Sequence, residues 1–105
     1  MVFYNNSARL DLKNIFDGLL TWSKYKLEYN HVVKYHNDIL QICNCLDSKS
    51  FHFNAQFPSH KRFGKKVHTY KRNKLTHWYI IYNLDSHGNV FIQRIFSNYK
   101  TTETE

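Results

Sequence analysis

Between Phe63 and Thr102 the chain reads F-G-K-K-V-H-T-Y-K-R-N-K-L-T-H-W-Y-I-I-Y-N-L-D-S-H-G-N-V-F-I-Q-R-I-F-S-N-Y-K-T-T, with Lys, Arg, His and Tyr closely interleaved. Those residue types suit a phosphodiester. Lysine and arginine hold phosphate oxygens, aromatic rings offer flat faces to bases, and an imidazole moves a proton near neutral pH. Lys65, Lys66, Lys71 and Lys74 are candidate backbone contacts, and Tyr70 and Tyr79 candidate stacking platforms. His68, with an ordinary pKa of about 6.5, would serve as base or acid if it faced the open side of a sheet. The plainer role for a lone strand histidine is structural.

The charge is unevenly placed. The 105 residues carry a net +7. Residues 1–47 hold five Lys/Arg and five acids, residues 48–84 hold eight Lys/Arg and no acid, and residues 85–105 sum to −1. One structural unit therefore owns the positive potential, which suits a polyanion or an acidic protein partner.

Elements must position these groups. Val2, Phe3 and Tyr4 predict a short strand, and Asn6-Ser7 a helix cap. Leu12, Ile15, Phe16, Leu19 and Leu20, extended by Trp22, make the apolar stripe of an amphipathic helix. The pattern loses phase over Ser23–Tyr29, and a second helix follows from about Glu28 to Leu46, striped by Val32, Tyr35 or His36, Ile39, Ile42 or Cys43, and Leu46. Residues 51–64 hold the only proline and predict an irregular connection that packs Phe51, Phe53 and Phe57 onto the core. Strands are expected over Lys65–Arg72, His77–Leu84 and Val90–Phe96, separated by a turn at Asn73–Thr76 and a hairpin loop at Asp85–Asn89 with Gly88 at positive φ. Ser97–Glu105 reads as a polar tail.

The expected fold class is α+β, in the order β-α-α-β-β-β, with an N-terminal helical hairpin on one face of a small, mostly antiparallel sheet. One domain spans 1–105. Val67, Thr69 and Lys71, together with Trp78, Ile80 and Tyr82, read as the core face, which leaves His68, Tyr70 and Arg72 on the open one. The last strand does not declare its face. Cys43 and Cys45 point to different sides of a helix and read as buried free thiols rather than metal ligands. No metal or cofactor is expected. No apolar run approaches the ~18 residues a membrane span needs. With no secretory leader legible at the N-terminus, a reducing cytoplasm is the expected compartment.

Taken in order, Tyr4-Asn5-x-x-Ala8-x-x-Asp11-Leu12-x-x-Ile15, the helical hairpin, the basic strand, W-Y-I-I-Y and I-Q-R-I-F-S-N-Y resemble the RelE/ParE toxin superfamily of bacterial type II toxin–antitoxin modules over nearly the whole length. The resemblance implies a small bacterial cytoplasmic toxin neutralised by a cognate antitoxin. RelE-like members are endoribonucleases (mRNA interferases) that inhibit translation by cleaving mRNA in the ribosome without a metal. ParE-like members keep the fold and poison DNA gyrase without nuclease chemistry. An unrelated basic nucleic-acid-binding module is the third reading.

Cleavage of RNA by its own 2′-hydroxyl needs a base for that proton, cations to hold the phosphate, and an acid for the leaving 5′ oxygen. Carried over by resemblance, Arg72 falls at a phosphate-clamp position and Tyr99 at a tyrosine that stacks on a base or handles a proton. Tyr79 and Asn98 stand where such enzymes place Arg, or Arg or His. Arg94, Lys66, Lys71, His68 and His77 are the residues able to compensate. The candidate catalytic set is thus Arg72, Tyr99, His68 and Arg94. Asn98 and Lys100 join Lys65, Lys66, Tyr70, Lys71, Lys74 and Tyr79 in the binding set.

Overall fold

The computed structural model describes residues 1–21 and 28–98. In chain order its elements are β1 (Val2–Tyr4), α1 (Asn6–Thr21), α2 (Tyr29–Asn44), a 3₁₀ turn (Leu46–Ser48), β2 (Phe53–Asn54), α3 (Pro58–Lys61), β3 (Lys66–Lys71), β4 (His77–Leu84) and β5 (Val90–Ser97). The class is α+β, as expected. The five strands form one sheet in the order β1-β5-β4-β3-β2. β1 runs parallel to β5, and every other neighbouring pair is antiparallel.

α1 and α2 cover one face. Ala8 and Leu12 of α1, with Ile39 and Cys43 of α2 and Leu46, pack against Trp78, Ile80 and Tyr82 of β4 and Val90, Ile92 and Ile95 of β5. Each fully buried aliphatic side chain contributes about 1.5–3 kcal/mol, so these residues hold the hairpin to the sheet. Val90 and Ile92 alternate normally, but Ile95 lies three residues on. The register explains this: Ile81 pairs with Arg94 while Tyr82 pairs with Ile92, which leaves Gln93 as the extra residue of a bulge. Beyond it Arg94 and Phe96 turn to the other face.

Asn5 fixes where α1 leaves the sheet. Its backbone N–H donates to Ile92 O (3.1 Å), its side-chain amide to Gln93 Oε1 (2.8 Å), and its Oδ1 accepts from Ala8 N (2.8 Å). The N-cap is therefore Asn5, one residue before the expected Asn6-Ser7. The turn after β3 is closed by Asn73, whose Oδ1 accepts from Leu75 N and Thr76 N. Asp85 closes the next loop by accepting from His87 N and Asn89 N, and Gly88 takes the expected positive φ (81°). The Asn89 side-chain amide, donating to Asp85 Oδ2 at 2.9 Å, and then those backbone bonds hold the Asp85 carboxyl below its ordinary pKa.

Several expectations are corrected. The register sets Tyr70 opposite Trp78 and His68 opposite Ile80. Directly paired residues share a face, so Lys66, His68 and Tyr70 lie on the helix side, and Val67, Thr69 and Lys71 on the other. Nor is that other face bare. Residues 55–64 lie across it: His60, 3% exposed, packs on Tyr79 and Phe96, and Phe63 contacts Phe96. Gly64 makes this approach possible, since a Cβ there would meet Ile81 Cγ2 at 2.9 Å. The expected packing of Phe51, Phe53 and Phe57 fails; they are 63%, 63% and 62% exposed. Cys43 is buried but Cys45 is exposed. Ser97 belongs to β5 rather than to the tail. The loss of helical phase falls mostly at 22–27, outside the described residues.

Candidate nucleic-acid interface

β3 carries the candidate groups because its Lys-x-His-x-Tyr alternation places Lys66, His68 and Tyr70 in one row at the margin of the helix-covered face. Lys66 Nζ donates to Asn54 Oδ1 at 2.6 Å, across the β2–β3 pair. His68 Nδ1 lies 3.4 Å from Lys49 Nζ. Burial, and then the Lys49 charge, hold its pKa below the ordinary 6.5. The imidazole is therefore neutral at physiological pH, but its row faces the helices rather than the open side, and its Nδ1 accepts from Lys49.

Past the strand end, Arg72 is enclosed. Its Nη1 donates to Asp38 Oδ2 of α2 and to the Tyr70 hydroxyl (3.0 Å). Its guanidinium carbon lies 4.1 Å from the Tyr35 ring centroid, and Tyr35 Oη in turn accepts from Trp78 Nε1 at 2.9 Å. The hydrogen bond from Arg72, followed by the Lys34 charge, holds the Asp38 carboxyl below its ordinary pKa. Arg72 is thus paired with an acid contributed by a helix outside the acid-free unit.

Arg94 is committed in the same way. Nε and Nη2 donate to Asp11 of α1 at 2.7 and 3.2 Å, and the guanidinium also sits 4.7 Å from the Phe63 ring centroid. Asp11 Oδ2 accepts from Ile95 N as well, at 2.8 Å. β1 pairs with β5 only through Ile92, so Asp11 closes the β5 edge beyond that point.

Tyr79 packs among His60 and Phe96. Asn98 ties the end of β5 to the turn after β3: its N–H donates to His77 O, its Oδ1 accepts from His77 N, and its Nδ2 donates to Leu75 O. Lys65, Lys71 and Lys74 are exposed. Tyr99 and Lys100 lie outside the described residues. The structure therefore brings Tyr70 and Arg72 together at the turn beside Asn98, holds His68 next to Lys49, and directs Arg94 to a different partner. Among the described residues no three His, Cys, Asp or Glu side chains gather as a metal site would require.

Charge and aromatic exposure outline a surface that extends beyond β3. Lys49, Lys61, Arg62, Lys65, Lys66, Lys71 and Lys74 have no acidic partner among the described residues. Exposed Phe51, Phe53 and Phe57 lie in the same unit. The sequence assigns these rings to the core, although F-x-F-x-x-x-F in an acid-free stretch also fits an exposed aromatic surface. No family model matches this sequence, and no curated protein or solved structure matches it with significance. No described helix is long and apolar enough to cross a membrane.

Proposed function

We propose that this chain is a bacterial toxin of the RelE/ParE kind that engages RNA through residues 48–84, with mRNA in the ribosome as its target. One observation carries the reading: seven of the eight Lys/Arg in that stretch have no acidic partner among the described residues. Such a surface is completed by a polyanion. The element order supports the resemblance. A strand and two helices precede three long antiparallel strands, with β2 and α3 added between. A cognate antitoxin is the protein partner this reading entails, and the cytoplasm its compartment.

Metal-independent cleavage is the chemistry proposed. A base takes the 2′-hydroxyl proton, a role open to His68 only once the RNA draws Lys49 away from its Nδ1, and the 2′ oxygen attacks phosphorus. Lysines hold the charge that builds there, and the P–O5′ bond breaks to leave a 2′,3′-cyclic phosphate and a 5′-hydroxyl. Tyr99 is the residue that resemblance nominates for the leaving-group proton.

A second reading, a ParE-like toxin that binds without cutting, is favoured by the ion pairs. Arg72 and Arg94 face Asp38 and Asp11, and Asn98 is engaged by the backbone. Mapping mRNA ends after induction separates the two. New ends within translated codons are expected. Intact messages with gyrase-dependent DNA damage would transfer the assignment to the second reading.

A further inference from the structure

We propose that Phe53 and Phe57 form a stacking site for an unpaired base of single-stranded RNA; this rests on the reading that residues 48–84 engage RNA. The two rings flank a cleft of about 200 Å³ that Gln56, His60, Thr69 and Tyr79 also line. The rings are 63% and 62% exposed, and both belong to the acid-free unit. A buried ring supports Phe57 from behind. His60, 3% exposed, lies 5.3 Å from it centroid to centroid and 4.8 Å from Tyr79. Phe51 meets Phe53 edge-on at 4.9 Å. These contacts hold the rings in place before any ligand arrives, which lowers the cost of ordering them on binding.

Phe57 also borders a second opening, of about 440 Å³, shared with Pro58, Ser59 and Arg62. Arg62, whose guanidinium carbon lies 4.9 Å from the Phe63 ring centroid, brings a cation to the same opening. The Gln56 amide and Thr69 hydroxyl supply donors and acceptors for a base edge. Base–aromatic stacking tolerates any base, because each presents a π face.

The other occupants fit less well. An acidic peptide added to the sheet edge needs a run of main-chain partners, and β2, the edge strand that lines this cleft, is two residues long. A second copy would bring a like-charged surface against this one. RNA matches both the charge and the rings.

The test is fluorescence anisotropy of a labelled short oligouridylate with the full-length chain and with Phe53→Ala, Phe57→Ala and Phe57→Trp. Both positions are exposed, so the melting temperature of each variant is expected to match the parent. Each alanine variant is expected to weaken binding by about 5- to 150-fold. The slope of log affinity against log salt stays the same, because no phosphate contact is lost. Phe57→Trp keeps the affinity. Alanine variants that bind as tightly as the parent would overturn the stacking site and leave the RNA reading intact. A parent that binds no oligouridylate would overturn the RNA reading, and the site with it. A dimer that Phe53→Ala dissociates, or a polyglutamate peptide that binds the parent more tightly than the RNA does, would assign the cleft to another occupant and overturn the proposal.

Discussion

Replacing Asp11 by alanine tests whether Arg94 is a structural cation or a spare one. Asp11 accepts from Arg94 at 2.7 and 3.2 Å and from Ile95 N at 2.8 Å. The side chains of Arg94 and Asp11 are only 26% and 12% exposed. A hydrogen bond to a charged partner is worth about 1.5–3 kcal/mol, and an ordinary one about 1 kcal/mol. Partial solvation of the guanidinium reduces the first figure. The sum for Asp11→Ala is therefore roughly 2–3 kcal/mol, part of it the cost of an edge N–H left without its acceptor. For a domain of this size that lowers the melting temperature by roughly 10–20 °C. Thermal unfolding followed by circular dichroism reads it directly. Asp11→Asn keeps an acceptor for Ile95 and removes the charge, so its loss should be smaller. RNA affinity supplies the second arm: Arg94→Gln should leave it near the parent value wherever the variant is folded. A loss below about 0.5 kcal/mol for Asp11→Ala, the range of an unremarkable surface change, would refute the structural assignment. A large loss of RNA affinity in stable Arg94→Gln would refute it independently.

Other outcomes follow from the same geometry. Gly64→Ala places a methyl 2.9 Å from Ile81 Cγ2 and 3.2 Å from Tyr82 O, so urea unfolding should show a loss of about 1–3 kcal/mol. His68 is held neutral in the fold, with its pKa below 6.5. The unfolded chain therefore binds the proton first, and the stability this group contributes is complete above pH 6.5 and lost as the pH falls through the folded-state pKa. His68→Gln should flatten that acid-side decline in a pH series of melting temperatures. Tyr99→Phe should relieve growth arrest on induction while the protein stays folded, and full toxicity would remove it from the site. Tyr35→Phe takes the acceptor from Trp78 Nε1, 2.9 Å away, and should cost about 1 kcal/mol in the same unfolding assay.

Much of the fold is written plainly in the sequence. The stripe from Leu12 to Leu20 and that from Val32 to Leu46 mark the helices, and W-Y-I-I-Y marks the central strand. Asp85–Asn89, closed by Asp85 with Gly88 at positive φ, marks its loop. The faces are harder to read. β3 alternates two half-polar rows, and Val67 and Thr69 look the more apolar on pattern alone. Pairing with β4 overrides the pattern and sends Tyr70 to the helix side, where it lies opposite Trp78 and its hydroxyl accepts from Arg72. β5 withholds its face because Gln93 breaks the period of two. The commitment of the arginines is invisible at short range. Asp38 precedes Arg72 by 34 residues and Asp11 precedes Arg94 by 83, so only the assembled sheet and hairpin show which cations are paired. Phe51, Phe53 and Phe57 mislead in the opposite sense: apolar residues in a loop suggest burial, yet Gly64, Ala55 and His60 make the close contacts and leave the phenylalanines outside.

The claim that the acid-free unit binds RNA is met most directly by titrating a labelled single-stranded RNA across a salt series. Single-stranded binding loses about 0.7 in log affinity per log unit of salt for each phosphate neutralised. If four to six lysines and arginines of the unit contact phosphates, a slope of roughly −3 to −4 is predicted. The combined change Lys61→Gln, Lys65→Gln, Lys71→Gln and Lys74→Gln should reduce it towards −1. No binding at low salt, or a slope unchanged by removing those four charges, would contradict the account.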